Sequence, residues 1–326
     1  RMKNTGYLNP PASVTWKNYK QEKVEYIGGS AIKGFIPVSD TDYLKRINNN
    51  YRQHIYEVNL KQNNIDDYGM ITNRGRPGME FFFNGARMQP ARWPNAGYDS
   101  IVNVPQTGEK MYEGYVTRLD EDGLPKGRHY GRFQYKSDRP GNWSNPENIY
   151  LHGFWVFTWD DEIVGVQTID KNKKEIALTS PHPRYGYMKG GAFYALNVLE
   201  ELDQPGEWYI DRAKGKLLFW PPSPMETGTA FVSLLDSAMV SLEDTRNITI
   251  RGITFSNSRG NAIVVNGGEN NVIAGCDFKN LGDIAIRING GLKNGVRSCN
   301  LYNLTAGGIS IRGGDRKTLT PAGNFV

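Results

Sequence analysis

The chain has 326 residues, 38% hydrophobic and 22% charged, with a net charge of +5. This balance suits a folded protein of about two domains, and no run of about 20 apolar residues offers a membrane span. The charges are scattered without a Lys/Arg block, so nucleic acid is not an expected partner.

Gly is plentiful, at 37 residues, and aromatic residues reach 12%. Together with β-branched runs, they favour β structure. The sequence starts at Arg1 without Met or a signal peptide and stops at Val326 inside a repeat. The expectation is a piece of a longer protein.

In chain order, "VTWKNYKQEKVEYIGG" (14–29) reads as one coil, isolated in sequence: alternation, a charged turn, alternation, then Gly-Gly. "SDTDYLKRIN" (39–48) carries helix-start chemistry. Ser39 or Asp40 can cap, and Tyr43, Leu44 and Ile47 share a face. From about 68 to 228 the chain is β-rich but aperiodic. "EIVGVQTIDKNKKEIALTS" (162–180) predicts a hairpin around Lys171–Lys174. "GEWYIDRAKGKLLFWPP" (206–222) predicts another, with strands Trp208–Asp211 and Lys216–Trp220 and Gly215 at the turn.

Beyond residue 229 a 23-residue repeat emerges. Val240, Ile263, Ile286 and Ile309 fall in one column, and Leu242, Val265, Ile288 and Ile311 in a second. Ile250, Ile273 and Val296 form a third, and Phe255, Phe278 and Leu301 a fourth. Asn257, Asn280 and Asn303 form a fifth, and a Gly pair closes each unit. Within a unit apolar and polar residues alternate, which is strand periodicity. Three short strands per unit predict a parallel β-solenoid whose like residues stack about 4.8 Å apart. The expected fold is all-β: a parallel β-helix of 23-residue coils with an inserted antiparallel sandwich- or barrel-like domain. The expected divisions are an early coil at 1–38, a short helix and linker at 39–67, the insertion at 68–228, and coils at 229–326 that are cut short at the C-terminus.

The stretches "KGFIPVSDTDYLKRI", "FFFNGARMQPARWPN", "LHGFWVFTWDD", "YALNVLEELDQPGEWYIDRAKGKLLFWPP" and "ISIRGGDRKTLTPAGNFV" resemble the β-helix proteins of glycoside hydrolase family 141. The resemblance implies a right-handed parallel β-helix interrupted by a β-sandwich-like insertion, and a secreted, periplasmic or cell-surface enzyme with α-L-fucosidase- or xylanase-like activity. It implies a polysaccharide or oligosaccharide substrate, with an acidic one left open. It also implies that the catalytic acid pair belongs to coils beyond residue 326, in the remaining part of the same protein.

Glycosidases place two carboxyl groups across a cleft, about 5 Å apart for retention and roughly 6.5–9.5 Å for inversion. No such pair is legible here. Asp315 and Asp160 stand as the catalytic candidates. Residues flanking the inward columns point outward, which assigns Asn266, Arg287, Asn289 and Arg312 to one ladder-spaced face. Asn suits hydroxyls and Arg suits carboxylates. The competing reading is a solvated strand face. The fourth coil then carries an excess loop drawn from "DRKTLTPAG", so Asp315 and Arg316 join Arg312 as candidates, unless Asp315 merely closes its own turn.

In "HGFWVFTWDD" (152–161), alternation predicts a strand running through Trp159, with His152 and Trp159 as sugar contacts and the other aromatics in the core. "SPHPRYGYMKGG" (180–191) adds Tyr185 on a lid or a long hairpin end.

Four His and two Cys show no metal spacing, so no metal site or cofactor is expected; Ca²⁺ on Asp/Asn turns is open but has no motif behind it. The alternatives to a hydrolase are a polysaccharide lyase, with Arg287 or Arg312 neutralising a uronate, or a non-catalytic glycan-binding or adhesin module. Cys276 and Cys299 share an inward column with parallel side chains, so two free, buried thiols are expected rather than a disulfide.

Overall fold

The computed structural model describes residues 2–3, 13–72, 78–105 and 131–326. The repeat columns become strand register. Strands Val240–Glu243, Ile263–Asn266, Ile284–Asn289 and Gly307–Arg312 pair in parallel, Val240 opposite Ile263, Ile263 opposite Ile286, and Ile286 opposite Ile309. Ile248–Arg251, Val272–Ala274 and Gly295–Arg297 form a second parallel sheet, and Ile253–Ser258, Asp277–Leu281 and Asn300–Leu304 a third. One strand per sheet per turn makes a three-sided parallel β-solenoid.

Alternation decides what lies inside. Ile250, Phe255, Ile263, Phe278, Ile286 and Ile288 are fully buried. Phe255 and Phe278 stack at 5.2 Å, one coil apart. Each such side chain contributes about 1.5–3 kcal/mol by leaving water.

The corners are built from Asn. Asn257, Asn280 and Asn303 all take left-handed backbone, with φ of 53°, 55° and 54°, a conformation Asn tolerates better than most residues. Asn280 Nδ2 donates to Asn257 Oδ1 at 3.1 Å. A second, buried ladder runs through the coil interior. Asn271 N–H donates to Asn294 Oδ1 and Asn294 N–H to Asn324 Oδ1, both at 3.0 Å. The first step spans 23 residues and the second 30. The excess is the Gly313–Gly323 loop, which leaves the coil and returns without disturbing the ladder.

Cys276 and Cys299 are free thiols in neighbouring coils, as expected. Cys276 is buried, but Cys299 is only half-buried, a departure from the expected pair of buried thiols. Cys276 N–H approaches Cys299 Sγ at 3.5 Å.

The early coil is isolated in sequence but not in space. Val14–Lys17 pairs in parallel with Ile248–Arg251, and Val24–Ile27 with Ile253–Ser258. Met2–Lys3 pairs with Val240–Glu243. The chain leaves the coil at Gly28–Gly29, where no side chain fits: a Cβ would sit 2.5 Å from Ser258 Cβ at Gly28 and 2.2 Å from Val232 O at Gly29.

Between these coils lie sheets that are mostly antiparallel. Gly29–Ile32 pairs with Ala230–Ser233, followed by Phe81–Phe83 and Ala86–Arg87. The segment read as helix and linker carries the helix Thr41–Arg46, capped by Asp40, whose side chain accepts from Asp42 N–H. It also carries the strand Tyr56–Asn59, paired with Lys216–Phe219. Glu207–Asp211 and Lys216–Phe219 form the hairpin, with Gly215 at φ 67°. A third sheet joins Arg92–Trp93, Ala192–Leu196, Tyr150–Phe154, Glu162–Asp170, Glu175–Leu178 and Arg132–Gln134. Its hairpin turns between Asp170 and Glu175.

The strand expected through Trp159 stops at Phe154. The buried Trp155 indole donates to Glu162 O at 3.0 Å, and the chain doubles back from there. Polar contacts fasten these antiparallel sheets and their connections to the solenoid. Buried Arg259 donates from Nε to Ser233 O and pairs through Nη1 with Asp67 at 3.0 Å. Asn280 Nδ2 donates to Gly85 O, also at 3.0 Å. No helix is long and apolar enough to cross a membrane among the described residues.

Candidate functional site

Where the antiparallel sheets meet the coil corner, a cleft of ≈ 340 Å³ opens. Met79, Met88, Leu196 and Trp208 supply buried apolar lining. Its polar lining comes from distant elements: Glu80 and Arg87 from the Phe81–Phe83 hairpin and its approach, Gln89 and Arg92 just after, Tyr194 from the third sheet, and Thr305 from the coil.

Glu80 is the one carboxyl among the described lining residues. Its side chain is only 18% exposed. Arg87 approaches it side-on, Nε to Oε1 at 3.3 Å and Nη2 to Oε2 at 3.4 Å. Thr305 Oγ1 donates to Oε1 at 2.8 Å. Burial pushes the Glu80 carboxyl above its ordinary range, while Arg87 and the Thr305 hydroxyl pull against that shift. Arg87 also donates to Asn303 O at 2.9 Å, so the same guanidinium ties this wall to the solenoid.

Also lining the cleft, the Arg92 guanidinium lies over the Tyr194 ring, 3.8 Å from its centroid. Burial raises the Tyr194 phenol and Arg92 opposes it. His152 sits behind Tyr194, ring centres 4.8 Å apart, and its Nε2 meets Asp161 Oδ2 at 2.6 Å.

None of the residues singled out from the sequence lines this cleft. Asn266 and Asn289 do stand on the outward face of the coil, in a hydrogen-bonded row. Asn266 Nδ2 donates to Glu243 Oε1 at 3.1 Å, and Asn289 Nδ2 to Asn266 Oδ1 at 2.9 Å. Exposed Arg312 is next in register, opposite Asn289. Arg287 lies opposite Val264 and Ser310 in the neighbouring row and pairs with Asp283 at 2.9 Å. Asp315 accepts from Lys317 N–H at 2.8 Å, a bond that lowers its pKa, and bridges Thr320 through the backbone, with Arg316 exposed in the turn.

Trp159 is 67% exposed and stacks on Phe157 at 5.1 Å, with Tyr185 edge-on at 5.5 Å. Half-buried Asp160 closes the turn beneath, its N–H donating to Phe157 O. These residues group on loops that join strands of the antiparallel sheet holding Tyr150–Phe154 and Glu162–Asp170.

Sequence reasoning missed Glu80, Arg87, Arg92, Tyr194 and Thr305. The signal available was the cluster of Arg87, Gln89 and Arg92 within a strand-like stretch. Among the described residues, no group of three or more His, Cys, Asp or Glu is placed to hold a metal ion.

A family model for the right-handed β-helix region matches residues 238–320. A solved structure titled "Glycoside hydrolase" superimposes with a TM-score of 0.61 at 15% sequence identity, over 89% of this chain and 54% of that one. The chain thus spans about half the length of the structure it matches. No curated protein matches it by sequence. The chain is an all-β protein built on a right-handed parallel β-helix, with additional antiparallel sheets in its N-terminal part.

Proposed function

We propose that this chain is the saccharide-binding part of a polysaccharide-degrading glycoside hydrolase and that the sugar enters the cleft over Glu80. The carrying observation is that carboxyl: held at the junction of insertion and coil, largely desolvated, and hydrogen-bonded by Thr305. A carboxyl whose pKa is raised by burial is suited to protonate a glycosidic oxygen. Buried apolar surface and the Tyr194 ring suit a sugar's C–H faces, and Gln89 and Thr305 suit its hydroxyls.

Hydrolysis needs a second carboxyl, about 5 Å away for retention or roughly 6.5–9.5 Å for inversion. In this proposal it comes from further coils of the same protein, as the resemblance to glycoside hydrolase family 141 implies. The finer α-L-fucosidase- or xylanase-like activity, and the secreted, periplasmic or cell-surface setting, belong to the same proposal. The outward Asn266–Asn289–Arg312 row extends the binding surface along the coil.

Calorimetric titration with a panel of plant oligosaccharides tests this. Binding by the 326-residue chain, weakened at least about five-fold in Tyr194→Ala, is expected from loss of an aromatic contact. No binding, or binding unchanged in Tyr194→Ala, overturns the cleft assignment. In a protein that also carries the second carboxyl, Glu80→Gln is expected to lower hydrolysis by about 10²–10⁴.

A further inference from the structure

We infer that the cleft carries a subsite for an anionic group on the saccharide, a uronate carboxylate or a sulfate ester, at Arg92. The inference rests on the proposed saccharide cleft and names its substrate class.

The argument is one of charge pairing. Arg87 and Glu80 line the cleft as a two-point ion pair and cancel each other. Arg92 has no such partner. Among the described residues no carboxylate lies within ion-pair reach of its guanidinium, whereas Arg46, Arg132, Arg139, Arg259 and Arg287 each have one. Glu207, the carboxylate bonded to this residue, accepts instead from the Arg92 backbone N–H, at 3.2 Å.

The guanidinium is nevertheless fixed in place. It lies over the Tyr194 ring, and Nη2 donates to Gly97 O. Its Nε is buried without a hydrogen-bond partner, which leaves the Nη1 and Nη2 end as the edge that can meet a ligand. A partly buried, positioned and unpaired guanidinium on the wall of a cleft presents a preformed fork to two anionic oxygens. Among the described lining residues Glu80 is offset by Arg87, which leaves Arg92 as the uncompensated cation.

The test is calorimetry on the chain with three tetrasaccharides: galacturonate, its fully methyl-esterified form, and a sulfated galactose tetramer. At least one anionic tetramer is expected to bind about tenfold or more tighter than the neutral ester, since hydrogen bonds to charged groups are the stronger class. The arm with the larger ratio identifies the anion. The preference should shrink as salt is raised from low to physiological. In Arg92→Gln the ratio should fall to about one, and in Arg92→Lys to an intermediate value, because Lys keeps the charge without the fork. The Lys variant also guards against a folding defect in the Gln variant.

A wild-type ratio near one, with the neutral ester bound, overturns the anionic subsite and leaves the saccharide cleft standing. An anion preference undiminished in both variants also overturns it, because the charge would then reside elsewhere. Binding of none of the three overturns this inference; if no oligosaccharide of the wider plant panel binds either, the cleft reading falls with it.

Discussion

Thr305 and Glu80 lie 225 residues apart in sequence and share a hydrogen bond of 2.8 Å. One follows a solenoid strand and the other precedes a strand of the antiparallel sheets, and both line the cleft. Removing the hydroxyl with Thr305→Val should cost about 0.5–1.5 kcal/mol, the range of an ordinary hydrogen bond rather than of one to a charged group, because Thr305 is exposed. Urea denaturation of the single and double variants with Glu80→Gln measures it. A coupling energy near zero would mean that the bond does not join the two parts.

Glu207 predicts a pH dependence. It is fully buried, and burial raises its carboxyl from 4.5 to about 7, although backbone N–H groups of Asp203 and Arg92 donate to it. A folded-state pKa above the unfolded one means that its contribution is fully present below about pH 4.5 and is lost as pH rises through about 7. The difference in stability between wild type and Glu207→Gln should therefore swing against wild type by an amount on the order of 3 kcal/mol across that window. Denaturation midpoints at several pH values read this slope. A flat difference would contradict it, whatever the variant's absolute stability.

The solenoid was legible because its physics is local and periodic. A 23-residue spacing of Ile263, Ile286 and Ile309 fixes both inward direction and strand register at once. The hairpins were legible for the same reason, since turn and alternation lie within about ten residues. The strand through Trp159 was misread because alternation of aromatics also occurs in a turn whose rings, Phe157, Trp159 and Tyr185, pack on one another. The cleft was illegible because Glu80, Arg92, Tyr194 and Thr305 come from elements that only tertiary packing joins. Nothing near Glu80 in sequence announces the coil that covers it.

Asn294 should matter more than Asn303, although both sit in repeat columns. Asn294 is fully buried, accepts from Asn271 through its side chain, and donates to Gly267 O at 3.0 Å. Asn294→Ala strands those groups and should cost about 2–4 kcal/mol. Exposed Asn303→Ala should cost under about 1 kcal/mol, mainly from its left-handed backbone. Equal losses in thermal or urea denaturation would contradict the division between inner ladder and outer corner.

The two thiols should differ in reactivity. The side-chain contact with Cys276, together with the Cys276 N–H that donates to its sulfur, holds the Cys299 thiol below its ordinary range, while Cys276 itself is pushed up by that contact and by burial. Mass-resolved alkylation at neutral pH should label Cys299 first and Cys276 only on unfolding. Cys276→Ala should return Cys299 towards the ordinary thiol range. Equal labelling rates, or a disulfide between them in the purified protein, would contradict this arrangement.

The central claim is that saccharide occupies the cleft at the junction of insertion and β-helix. A crystal structure of the chain with a bound oligosaccharide tests it most directly. The predicted result is a sugar ring against Tyr194, with an oxygen within hydrogen-bond distance of Glu80 or Thr305. A saccharide ordered only along the Glu243, Asn266 and Asn289 row, with the cleft unentered, would contradict it.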